Sequence, residues 1–124
     1  DKAVQDWTLE DYKSLDNLAA AYGEEDVAHQ YNMNAYYRLL VELRELEPSN
    51  EAVQKVVKLL YEYQLNNIAG EEGRKRMTPS IYARRTAPLF LDGDIAKVQE
   101  MIWGKEGCLF IAKAIAIFGG EEVI

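Results

Sequence analysis

The sequence is short of most residues that do chemistry. It has one Cys and one His in 124 residues, with three Pro. One Cys excludes an internal disulfide and fits a reducing compartment, the cytoplasm. With a single Cys, a single His and no CxxC, a structural zinc site has too few ligands, and no metal or cofactor is expected. A hydrolytic triad needs a base beside a nucleophile. His29, the only imidazole, stands in Asp26-Val27-Ala28-His29 with no nucleophile at a telling offset, which makes it a surface or half-buried structural residue. Cys108 falls in an apolar run and reads as a small buried hydrophobe rather than a reactive thiol.

Long apolar runs are also missing. The longest, Cys108–Phe118, is interrupted by Lys113, well short of the roughly 20 residues a membrane helix needs. No basic-then-apolar leader opens the chain. It begins at Asp1, which suggests part of a longer protein or a processed chain. Excess positive charge is absent too. The net charge is −7, the wrong sign for a nucleic-acid binder, so direct contact with nucleic acid is not expected. The one basic cluster, Arg74-Lys75-Arg76 with Arg84-Arg85 downstream, reads as a solvated loop and helix face, with an anionic ligand or partner as the alternative. Glycine loops with phosphate-binding spacing are lacking, since Gly104-Lys105-Glu106-Gly107 follows no strand. Asp92-Gly93-Asp94 opens like a calcium loop, but the EF-hand pattern does not continue. No carboxylate pair is marked out by an apolar setting, so no acid/base pair is nominated.

What is present is apolar periodicity. Apolar residues make up 48% of the chain, which excludes disorder as the default and fits one domain over 1–124. Thr8 caps a first helix carrying Leu15, Leu18, Ala19 and Tyr22, with Gly23 as its stop. A second helix runs from Glu24 to about Leu46 with Met33, Tyr36, Tyr37, Leu40, Leu43 and Leu46 as its stripe, and Pro48 ends it. Ser49 or Asn50 caps a third, whose inner face is Val53, Val56, Val57, Leu60 and Tyr63, closed by Gly70. The polar stretch Glu71–Met77, with Gly73 inside it, predicts a mobile loop. Thr78-Pro79 starts a helix with Ile81, Tyr82 and Leu89 packing inward and Pro88 distorting its end. Asp94 caps a short helix with Ile95, Val98, Met101 and Ile102. Gly104 and Gly107 bracket a turn, and a last helix, about Gly107–Phe118, buries Leu109, Ala112, Ile115 and Phe118 before Gly119-Gly120 ends it in a frayed tail. The fold class is therefore all-α, a single compact bundle of five or six helices.

The chain is also rich in helix-borne aromatics. It has eight Tyr, and Trp7, Trp103, Phe90, Phe110 and Phe118 add to them. A helical aromatic stripe is ordinarily core. Yet the adjacent Tyr36 and Tyr37 cannot both face one way, so one of them must find a second surface. Tyr and Trp pair apolar area with a polar tip, which suits ligand clefts.

Residues 47–118 resemble the TipA-like drug-recognition domain (TipAS), the effector-binding part of some MerR-type transcription regulators. The resemblance is carried by Glu47-Pro48-Ser49-Asn50-Glu51-Ala52 as the turn into a helix, by Met77-Thr78-Pro79 as the next helix start, by Phe90-Leu91-Asp92-Gly93-Asp94, and by Gly107 followed by Ala112-Lys113-Ala114-Ile115. Trp7-Thr8-Leu9-Glu10-Asp11 is only loosely similar to the family's first helix. The resemblance implies a globin-like helical domain whose cleft accepts a bulky, largely apolar antibiotic, with N-terminal helices ordering on binding. Members that trap thiopeptides covalently use a cysteine in the region matching Ile68–Tyr82, which has none here. The chain also has Ile95-Ala96 where an aromatic is usual, and its Arg74-Lys75-Arg76 stretch is extra.

The leading expectation is thus an effector-sensing domain for a hydrophobic small molecule, with Tyr37, Tyr63, Tyr82, Phe90 and Trp103 lining the cleft. It would act within a transcription regulator, made oligomeric by an upstream region, or as a stand-alone binder. The alternative is a helical protein–protein interaction domain or assembly subunit. An enzyme stands third.

Overall fold

A computed structural model describes residues 24–120. The first expected helix, with Thr8, Tyr22 and Gly23, and the tail beyond Gly120 lie outside the described residues, as do Trp7 and Tyr12. Within them the chain forms five α-helices and no strand. These are α1 (Glu24–Glu42), α2 (Glu51–Asn67), α3 (Gly70–Arg76), α4 (Pro79–Thr86) and α5 (Asp94–Phe118), with a 3-10 turn at Ala87–Phe90. The chain is all-α, and no described helix is long and apolar enough to cross a membrane.

Local chemistry sets most boundaries. Asn50 caps α2, its side-chain oxygen accepting from the Ala52 amide at 2.9 Å. Thr78 caps α4, accepting from the Ile81 amide at 3.2 Å, with Pro79 in the first turn. Pro88 falls in the 3-10 turn, where its missing amide is tolerated. Two expected helix boundaries shift. Helix α1 stops at Glu42 and turns continue to Leu46, which is exposed. Asp94 is the first residue of α5 and does not cap it. Its neighbour Asp92 instead accepts from the Gly93 amide at 2.8 Å.

Two glycine-marked stretches depart from expectation. The predicted loop over 71–77 is helix α3 as far as Arg76. Gly70, with φ +73°, turns the chain out of α2, and the charges then follow the helix dipole: Glu71 and Glu72 in the first turn, Arg74, Lys75 and Arg76 in the last. Glu72 lies 4.0 Å from Lys75 and 3.8 Å from Arg76, within reach of weak exposed pairing. The expected turn between Gly104 and Gly107 shrinks to one residue. Gly104 alone leaves helical geometry, with φ +78° and ψ 162°, and divides α5 into two arms, 94–103 and 105–118. Gly107 is buried inside the second arm, and a β-carbon there would stand 3.4 Å from the Val41 side chain of α1.

The second arm of α5 is the hub. The helix as a whole packs on α1, α2, α4 and the 3-10 turn. Cys108, Ile111, Ala112, Ala114 and Ile115 are buried there against Leu40 of α1 and Val53, Val57 and Leu60 of α2. Gln54 ties the layers, its amide donating to the carbonyls of Pro48 at 2.8 Å and Ala114 at 3.1 Å. Several residues expected inside are not: Leu89, Ile95, Met101 and Leu109 are exposed. In the first arm Ala96 is buried and Trp103 packs against the core cluster, while Ile95 and Met101 are exposed.

Candidate functional site

The aromatics fall into two kinds of environment. Tyr37, Tyr82 and Phe90 are buried, and Trp103 packs half-buried against the same core. Tyr37 meets Phe90 edge-on with ring centroids 5.1 Å apart, and Trp103 at 6.3 Å. Trp103 spends its polar tip locally, donating to the Gln99 side chain at 3.0 Å. Tyr82 belongs to an adjoining cluster with Tyr61 and Phe118, at 5.4 and 6.3 Å. The Tyr61 hydroxyl donates to the Met77 carbonyl at 2.8 Å and so holds the α3–α4 connection. Burial pushes the Tyr37 and Tyr82 phenols well above their ordinary range, and Tyr37 adds a smaller upward push on Tyr82. Four of the five sequence-nominated residues thus sit in or against the core rather than on an open wall.

Tyr63, the fifth, stands apart. It is half-buried on the seam between α1 and α2. Its hydroxyl lies 2.9 Å from His29 Nδ1 and accepts from the Asn32 amide at 3.0 Å. The His29 ring meets it edge-on at 5.7 Å, and Tyr36 tilts over it at 6.5 Å. One turn along, Gln64 donates to the Met33 sulfur at 3.7 Å. Of Tyr36 and Tyr37, then, Tyr37 is buried in the core, while Tyr36 packs half-buried against it and tilts over Tyr63. His29, Asn32, Met33 and Tyr36 are spaced i, i+3, i+4, i+7, so one face of α1 supplies them all. That spacing was legible in the sequence. The polar residues hid it, because a stripe is sought among apolar positions.

Chemically, the seam offers aromatic area, one imidazole, carboxamides and a thioether, a set suited to adaptable binding of polar and apolar groups at once. Among the described residues no three His, Cys, Asp or Glu side chains are grouped to hold a metal ion. Cys108 is buried, and desolvation, helped by the charge of Glu100, pushes its thiol up to about 11, which keeps it protonated and unreactive at neutral pH.

Two open depressions are formed elsewhere by described residues. One, of about 670 Å³, lies between the end of α2 and α3 and includes Ile68, Arg74 and Lys75. The other, of about 460 Å³, lies between the turn after α1 and the second arm of α5 and includes Leu46, Leu109 and Phe110. None of the five nominated residues lines either one. Compared with protein families, curated proteins and solved structures, the chain matches none.

Proposed function

We propose that this chain is a ligand-binding module that senses a bulky, largely hydrophobic small molecule such as an antibiotic, as the effector domain of a transcription regulator or as a stand-alone binder. The observation that supports this reading is the α1–α2 seam: Tyr63 and Tyr36 remain half-exposed and present an aromatic surface whose polar groups are already oriented by His29 and Asn32. Sites for such ligands combine apolar and aromatic walls with a few fixed polar groups. Tyr63 is the nominated residue that remains available for contact; Tyr37, Tyr82 and Phe90 are buried in the core and Trp103 packs against it. No catalytic role is assigned to any residue.

Thermal-shift measurements with thiopeptides and other hydrophobic drugs test this. A ligand at 100-fold above its Kd adds about 2.7 kcal/mol of stability, and Tyr63→Ala should abolish that gain. If no compound stabilises the protein, the ligand-binding reading fails. A second reading, a protein–protein interaction domain, is favoured by the exposed Leu46 and Leu109 beside the smaller depression.

A further inference from the structure

The smaller depression has a charge pattern that the ligand reading does not use. Leu46 is 40% and Leu109 44% exposed, and both line it, together with Pro48. Exposed apolar residues grouped in this way mark contact surfaces more often than isolated ones do. The charges around them cancel. Arg44 and Glu45 stand on the α1 side, Glu106 and Lys113 on the α5 side. In a chain of net charge −7, two copies repel each other over most of their surface. A locally neutral apolar face is where that repulsion is least.

The charges on α5 also have a specific order. Glu106 and Lys113 are two turns apart and flank Leu109 on the outer face of the second arm, which Ile117 continues. The described ion pairs fall on other residues: Glu51 with Lys55, Glu72 with Lys75 and Arg76, and Asp94 with Lys97. When two such helices pack antiparallel about a two-fold axis near Leu109, Glu106 of each copy lies opposite Lys113 of the other. A self-complementary patch of this kind is what an isologous dimer requires. Parallel packing would instead set like charges against each other.

We propose that the second arm of α5, together with the turn at Leu46, is a homodimer face on which two copies meet antiparallel, Leu109 against Leu109, with two reciprocal Glu106–Lys113 pairs. The face is small, so the dimer is weak and concentration-dependent. Charge complementarity of this kind sets the register and excludes other pairings.

Sedimentation velocity of the whole chain across a concentration series tests it. A reversible monomer–dimer equilibrium is expected. Leu109→Glu should weaken it by about tenfold or more, because a charge is then placed at the apolar centre, while circular dichroism shows the fold retained. Glu106→Lys should weaken it too, by setting four cations around the axis. The double variant Glu106→Lys/Lys113→Glu should restore it, because the reciprocal pairs reform with opposite sign. A protein that stays monomeric at every concentration assigns this face to another occupant, such as an amphipathic helix of a different protein, and overturns the proposal. So does a dimer indifferent to Leu109→Glu, or one that the double variant fails to restore.

Discussion

Tyr82 and Tyr63 are the same residue type on neighbouring parts of one bundle, yet they live under different physics. Tyr82 is 2% exposed, ringed by Tyr61 and Phe118, and its contribution is packing. Tyr63 is half-exposed, and its hydroxyl is the meeting point of two helices through His29 and Asn32. The difference is made by what arrives from far along the chain. The second arm of α5 and the 3-10 turn cover the region around Tyr37 and Tyr82, whereas the seam is formed by α1 and α2 without them. Aromatic content alone therefore does not mark a binding surface. An aromatic whose polar tip is held while its ring is left partly open does.

The largest expected effect separates the two regions directly. Tyr82→Ala should cost about 3–5 kcal/mol, the range for emptying a large aromatic from a packed core. Tyr63→Ala should cost well under half of that, both read from urea midpoints at constant m-value. Equal losses would mean that the seam is as tightly built as the core. Alkaline pH probes the same contrast without mutation. The Cys108 thiol is raised from an ordinary value near 9 to about 11, and the Tyr37 and Tyr82 phenols are raised from 10. A group held protonated by folding leaves stability intact below its unfolded pKa and removes it as pH rises towards its folded value. Stability should thus be flat to about pH 8.5 and fall from pH 9 through 11, and Cys108→Ala should flatten the first part of that fall. A smaller effect belongs to the seam alone. Tyr63→Phe removes the hydroxyl that His29 and Asn32 share and should cost about 0.5–1.5 kcal/mol, while weakening any ligand that lies against this surface. Smallest is Thr78→Ala, which removes the α4 cap and should cost about 1 kcal/mol without touching either aromatic region.

The helices were legible wherever a capping or breaking residue marked them: Asn50, Gly70, and Thr78 with Pro79. Helix α3 was hidden because Gly73 and a polar composition imitate a loop, although acids preceding bases in Glu71–Arg76 carry the dipole pattern. Gly104 and Gly107 look alike in sequence. Only the approach of Val41 from α1 reveals why one breaks the helix and the other is buried within it. Residue type and helical face mark the five nominated aromatics as candidates for burial or binding but cannot tell the two apart. That depends on covering elements brought from distant sequence, as Phe90 and Trp103 are brought to Tyr37.

The position of α5 as hub has a consequence for the order of events during synthesis. Helices α1, α2 and α4 and the 3-10 turn all pack against α5, which leaves the ribosome after them. The nascent chain therefore carries Leu40, Val57, Leu60 and Tyr82 only partly covered until the hub emerges, and the native packing is completed late. Chaperone binding to the growing chain should end there, when the second arm of α5 closes over them.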